Sequence, residues 1–376
     1  AEHIKMARAQ RRLYQEKAAE AKRTATKPHA SRTYTFVVDY GQNLELPKFG
    51  QEQPGVTYYY SPMTVNNLGM VNHGHVYETG RVSEHMHCHV YTEAEGKKGA
   101  NNVASLIIKT LQVINVLRED SVGGELNIVF DNCTGQNKNN TVLKLPAWLV
   151  QCGYFLEVNF IFLVVGHTKN AADRLFNLLK KDYRKKNIYT FDKLIENLSA
   201  SSLVTVYPAE AADFLPYNKL LGMLYKDLTG NVKTNHIFSC RSGNDDEIVL
   251  RKSALEDHNE FIIRVLHRQY QYASPRQMLE IADEVLVPIE CLGVNPYKAV
   301  EMFRNYRPIV PIQYHSDKLY AQPSPEVMAK VKMEKVDRKE FRAKLTKKKY
   351  SKTKDKFEEV AFGDINHDDD RDEAVM

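Results

Sequence analysis

Apolar positions along this chain follow two periods, close to two residues in some stretches and close to 3.6 in others. From Arg32 the run RTYTFVVDYGQN is rich in β-branched and aromatic residues and ends in an aspartate and a glycine turn, which predicts a buried strand. Residues 56–64, 68–78 and 82–92 read as further extended stretches, closely spaced as in an antiparallel meander. Between 99 and 117, Val103, Ile107, Leu111, Ile114 and Leu117 recur at the spacing of one helix face, and Gly123-Gly124 closes the pattern. Residues 125–130 (ELNIVF) and 157–165 predict two more buried strands. A helix over 141–152, kinked or restarted by Pro146, lies between them, and a helix over about 170–185 buries Leu175, Phe176, Leu179 and Tyr183. The expected order over the core, residues 33–190, is β-β-β-α-β-α-β-α.

The flanks differ in character. Residues 3–22 (HIKMARAQRRLYQEKAAEAK) predict an exposed helix that ends before Pro28, so 1–32 reads as a basic helical arm. The helical pattern is already under way at the first residue, and an upstream segment is expected. Residues 191–198, 215–227, 274–285 and 296–305 suggest helices, and 236–240 with 248–251 flank the turn RSGNDDE as a hairpin. Together 191–315 reads as a companion α+β unit packed on the core. Residues 316–376 read as a charged, largely disordered tail.

Charge sharpens this picture. The net +5 divides into +6 over residues 1–32, +9 over 328–356, −7 over 357–376 and −3 over the rest. Basic arms around a near-neutral body suit a polyanionic partner, although solvated surface helices would give the same count. Five cysteines lie far apart with no C-x-x-C pair, which argues against a zinc module or a disulfide framework. The longest apolar run, Val158 to Val165 interrupted by Asn159, is too short to cross a bilayer, and no membrane role is expected.

Two of the predicted strands end in an aspartate, Asp39 and Asp131. The third leads through VVGHTKNAADRLF to Asp173 in the first turn of a helix. If these strands are neighbours, the three carboxylates converge at one end of the sheet. Hard oxygen ligands of this kind suit Mg²⁺ or Mn²⁺, and two such ions can activate a water or 3′-hydroxyl and stabilise a leaving oxygen. Any one aspartate alone would serve as an ordinary strand-end or helix cap. Their conjunction with the element order is what points to a metal site.

The motifs DYGQN at 39–43, DNCTGQNKNN at 131–140 and GHTKNAADRLF at 166–176 resemble a family of transposon-derived proteins whose core is similar to the DDE/DDD transposase and retroviral-integrase superfamily. That resemblance covers about residues 1–315. It implies an α/β fold with a ribonuclease-H-like mixed sheet, to which the companion unit and charged arms are added. It also implies that Asp39, Asp131 and Asp173 occupy the triad positions, with an aspartate where many members of the superfamily carry glutamate.

Several neighbours are candidates for supporting roles. Gln136, Asn137 and Lys138 follow Asp131 at the expected start of a helix, where N–H groups and amides could bind phosphate or water, or simply cap a turn. His167 could ligate metal, carry a proton or brace Asp173, and bracing is the simplest of these. Gln42 and Asn43 could orient DNA or water, or form a polar turn. Lys180, Lys181, Arg184, Lys185 and Lys186 could track a phosphate backbone into the site or be a solvated face. His85, His87 and His89 alternate along one strand face at a spacing that can bind zinc or copper, but no cysteine completes a set. Cys133 with His167 as nucleophile and base lacks an orienting third group.

The leading expectation is a nuclear transposase that cleaves and joins DNA strands, transposon ends and target, with two Mg²⁺ or Mn²⁺ ions and room for a homo-oligomer. A ribonuclease-H-like nuclease using water throughout is the second. A non-catalytic, transposon-derived nucleic-acid-binding protein is the third.

Overall fold

The computed structural model describes residues 2–50, 52–229, 232–255, 260–291 and 293–334. In chain order the elements are α1 (Glu2–Arg23), β1 (Thr33–Tyr40), β2 (Leu44–Leu46), β3 (Met63–Val76), β4 (Val82–Thr92), α2 (Ala100–Val113), β5 (Gly123–Phe130), α3 (Asn140–Leu143), α4 (Leu145–Gln151) and β6 (Phe155–Phe162). They continue with α5 (Ala171–Tyr183), α6 (Phe191–Leu198), β7 (Val204–Pro208), α7 (Tyr217–Leu224), β8 (Ile237–Arg241), β9 (Asn244–Arg251), β10 (Glu260–Arg264), α8 (Pro275–Val285) and α9 (Pro296–Glu301).

Ten strands among the described residues form one mixed sheet in the order β10-β9-β8-β6-β5-β1-β3-β4-β7, with β2 added to β3. The β1/β5, β5/β6 and β4/β7 pairs are parallel and the others antiparallel. The fold is therefore α/β with a large mixed sheet. Strands at its centre are covered on both sides, which is why their sequences read as nearly continuous apolar runs. Phe36, Val38, Ile128, Phe130, Phe160 and Phe162 point into a core shared with α2, α3, α4, α7 and α8. Val37, Val129 and Ile161 point into a second core shared with α1, α5 and α6.

Several expectations need correction. Residues 55–59 form a 3₁₀ turn entered through Pro54-Gly55 rather than a strand, because the proline fixes its own φ and gives up an N–H. The residues expected to form a companion unit complete the main sheet instead: β8, β9 and β10 extend it beyond β6, and β7 lies outside β4. The supposed arm is a docked helix. Ala7, Ala9, Tyr14, Ala18 and Ala21 of α1 are buried, and Gln10, only 1% exposed, donates to the His236 carbonyl and accepts from the Ala254 N–H. Its basic side chains also have internal partners, Lys17 with Glu125, Lys22 with Glu84 and Arg23 with Glu20. A polyanion is thus not the counterpart of all this charge. The start of the expected disordered tail is built into the body. Tyr320 is buried and donates to the Tyr189 carbonyl at 2.6 Å, and residues 325–334 are helical. Residues 335–376 of that tail lie outside the described residues.

All five cysteines are free. Among the described residues no helix is long and apolar enough to cross a membrane.

Candidate metal centre

Parallel pairing of β1 with β5 sets Val38 opposite Phe130, and one residue further along each strand stand Asp39 and Asp131. Neighbouring strands lie about 5 Å apart, so the register alone brings two carboxylates side by side. Both continue the alternation toward the face that α5 covers. Antiparallel pairing of β1 with β3 places Gly69 directly opposite Asp39. A Cβ on Gly69 would lie 2.8 Å from Phe176 Cζ and 2.7 Å from Met86 Sδ. The glycine therefore lets α5 sit close to the sheet beside Asp39. Gly69→Ala is expected to push Phe176 outward and lower stability by about 1–3 kcal/mol in a thermal melt, with α5 displaced from the aspartates.

The third carboxylate arrives on that helix. Asn170 caps α5 by accepting from the Ala172 N–H at 2.8 Å, and Asp173 returns a hydrogen bond from the Asn170 N–H at 3.0 Å, a capping box. The ordinary capping role of Asp173 is thus realised, and the residue still lies close enough to Asp39 to act on it electrostatically. The Asp39 carboxyl is pushed up to about 7, first by burial and then by the negative charges of Asp131 and Asp173. Hydrogen bonds from the Asn170 side chain and the Tyr40 N–H oppose the shift. The three sequence-predicted aspartates are therefore near enough for Asp131 and Asp173 to act electrostatically on Asp39.

The donors present are hard oxygens, and mutual repulsion among three anions is what a divalent cation would relieve, so the residues fit Mg²⁺ or Mn²⁺ in chemistry. Among the described residues, however, no group of three or more His, Cys, Asp or Glu side chains already converges as a ligand set. Asp131 is turned to its own loop, where Oδ1 accepts from the Asn137 side chain and the Cys133 N–H, and Asp173 is turned to its cap. Holding a metal would exchange these bonds for metal–oxygen contacts.

The surrounding candidates fall into distinct places. No helix begins at Gln136. The segment 131–139 is a turn, and α3 starts only at Asn140 with Asn139 as its cap, because the N–H groups of Gln136, Asn137 and Lys138 all bond to the Cys133 carbonyl. The backbone N–H groups of Gln136, Asn137 and Lys138 are thus committed to a turn rather than free at a helix start. Lys138 is buried, with its ammonium on Asn132 Oδ1 at 2.8 Å and the Lys233 carbonyl at 3.0 Å, and burial lowers its pKa to about 8. It braces the loop that carries Asp131. His167 is exposed, its ring 5.6 Å from that of His3 and its carbonyl held by Arg11 at 3.1 Å. Gln42 accepts from Lys180 Nζ at 3.1 Å, tying α5 to the Asp39 loop, and Asn43 is exposed. Lys181, Arg184, Lys185 and Lys186 are exposed along and beyond the end of α5.

His85, His87 and His89 do share one face of β4; both ring nitrogens of His85 are bonded, to Tyr77 and Thr205, while His87 bonds Tyr207 and His89 bonds Thr110 through one nitrogen each, leaving His87 Nε2 and His89 Nδ1 buried without a hydrogen-bond partner among the described residues. They are hydrogen-bonded core histidines here. Lys98 was not legible from the sequence. Its ammonium lies 4.7 Å over the Tyr40 ring, donates to the Gly41 carbonyl and senses the charge of Asp39. Nothing in its loop, EGKKG, marks one lysine over the next.

A family model described as a domain of unknown function, DUF7869, matches residues 59–257. No curated protein matches the chain. Among solved structures, one described as the crystal structure of NurA with manganese is similar at 11% identity and a TM-score of 0.16, covering 72% of this chain. The match spans 62% of the length of that structure.

Proposed function

The chain belongs to the DUF7869 family, and we propose that it is a metal-dependent enzyme of phosphodiester chemistry, a transposase-like DNA strand cleaving and joining enzyme built on a ribonuclease-H-like core. The single observation that carries this reading is the nearness of Asp131 and Asp173 to Asp39, which is raised to about 7 by burial and by the other two charges. Support for the finer fold reading comes from the centre of the sheet. The order β4-β3-β1-β5-β6, with antiparallel β3 between β4 and β1 and parallel β5 and β6 beyond, is that expected of a ribonuclease-H-like sheet. It sets the aspartates at the carboxyl ends of adjacent parallel strands, where open α/β sheets bind ligands.

Asp39, Asp131 and Asp173 would hold one or two Mg²⁺ or Mn²⁺ ions, which supply activation of an attacking oxygen and stabilisation of a leaving one. The protein's own groups do the rest. Asn170 and Lys98 orient and balance the charge of Asp39, and Asn137 and Lys138 hold the Asp131 turn. The exposed cations from Lys181 to Lys186 offer a path for the phosphate backbone toward the site.

Asp131→Asn and Asp173→Asn are each expected to lower Mn²⁺-dependent nicking of a DNA duplex by at least about a hundredfold while leaving the circular dichroism spectrum unchanged. Retained nicking in both variants would remove the reading. Products then separate transposase from nuclease, since joined strands require a 3′-hydroxyl nucleophile and hydrolysed ends alone require only water. A non-catalytic nucleic-acid-binding role has one observation in its favour, that no ready-made ligand set is found among the described residues. It predicts salt-dependent DNA binding with no metal binding.

A further inference from the structure

The segment that delivers Asp173 begins where β6 ends and has little packing of its own. Val165 is 66% exposed, Gly166 takes a positive φ of 81° and His167 is exposed. It is tied to β1 by the Asn170 side chain on Asp39 and to α1 by Arg11. Arg11 donates to the carbonyls of His167 at 3.1 Å and Lys169 at 3.0 Å, just ahead of the α5 cap. On the other side of Asp173, Arg174 pairs with Glu84 of β4. Glu84 also meets Lys22 of α1 at 3.7 Å and His73 Nδ1 at 3.2 Å, and His73 Nε2 bonds the Tyr14 hydroxyl of α1 at 3.0 Å. Helix α1 thus grips both flanks of Asp173, from Arg11 directly and from Lys22 and Tyr14 through Glu84 and His73.

We propose that α1 is the positioning element of the aspartate site, Arg11 and the Glu84 hub holding residues 166–174 and with them Asp173 near Asp39, and that these α1 contacts and binding of a divalent ion are therefore coupled. This rests on the metal reading above and goes beyond it by assigning control of the site to a helix remote in sequence. Coupling of this kind is reciprocal: whatever releases the Arg11 and Glu84 contacts weakens metal binding, and metal tightens those contacts. Partners that orient a metal ligand typically change affinity by about ten- to a hundredfold when removed.

The test compares wild type, Arg11→Ala, Glu84→Gln and Lys17→Ala by Mn²⁺ calorimetry and by hydrogen exchange without metal. Lys17 holds α1 through Glu125, away from the Asp173 segment, and so controls for the loss of an α1 contact that does not reach residues 166–174. Arg11→Ala and Glu84→Gln are expected to bind Mn²⁺ about tenfold more weakly and to exchange faster over 166–174, with Lys17→Ala close to wild type in both. Wild-type affinity in Arg11→Ala, or an equal loss in Lys17→Ala, would overturn the proposal. If the wild type binds no Mn²⁺, the metal reading and the coupling fail together. Exchange still judges the clamp in that case, and unchanged exchange over 166–174 in Arg11→Ala would show that Arg11 holds nothing there.

Discussion

Asp39→Asn is expected to make the metal-free protein more stable at pH 8 by on the order of 3 kcal/mol while abolishing both its stabilisation by Mn²⁺ and its nicking activity. The folded pKa of Asp39 is raised from 3.8 to about 7, so the folded state favours the protonated carboxyl. The stabilising contribution of that proton is complete below pH 3.8 and is lost as pH rises through 7. Above pH 7 the wild type therefore carries a buried, repelled carboxylate. Asparagine keeps the shape without the charge, and its stability should not fall over that window. A divalent ion removes the same repulsion in the wild type only. Urea unfolding of both proteins from pH 5 to pH 8, with and without Mn²⁺, checks all three parts. A destabilised Asp39→Asn protein at pH 8 would mean that the carboxylate is held by partners rather than strained by its neighbours.

The second large effect is acid unfolding that begins well above the carboxylate range. Burial lowers His85 to about 4, His87 to about 3, His89 to about 4 and His236 to about 4, with like charge from neighbouring histidines adding to the shift at His85 and His87. The unfolded chain takes up these protons near pH 6.5, whereas the folded chain refuses them. Stability present above pH 6.5 is accordingly lost as pH falls toward 4 and then 3. At pH 5 each group costs on the order of 1–2 kcal/mol, enough together to remove much of a typical domain's stability. His87→Gln should flatten the dependence by one such step, read as the urea midpoint at pH 7 against pH 5. A midpoint constant between those values in the wild type would contradict the burial of neutral imidazoles. Four imidazoles outweigh the one carboxyl of Asp39, so the stability of the metal-free protein rises up to about pH 7 and changes little above it.

The parts of this molecule legible in its sequence were those where one strong local signal decided the structure. The runs at 33–40, 123–130 and 155–162 are buried on both faces, so they read as strands without any knowledge of their neighbours. Asp39 and Asp131 were visible because each follows such a run, and Asp173 because Asn170 opens an amphipathic helix. Elements governed by distant contacts were not visible. The strand β7 is mostly exposed in pattern and exists because β4 offers a parallel edge, and β10 is an edge strand with little burial. Helix α1 was misjudged because its buried face is largely alanine. Alanine scores as a surface helix former, yet its small side chain is what lets a helix lie close to the sheet. For the same reason the link from Arg11 to the His167 and Lys169 carbonyls, 156 and 158 residues away, left no trace in any local pattern.

The most direct measurement of the central claim is a calorimetric Mn²⁺ titration of the wild type beside Asp131→Ala. The account predicts saturable binding to the wild type that disappears in the variant. Wild-type binding that survives unchanged in Asp131→Ala would contradict it, as would a folded wild type that binds no Mn²⁺ with or without a DNA duplex present.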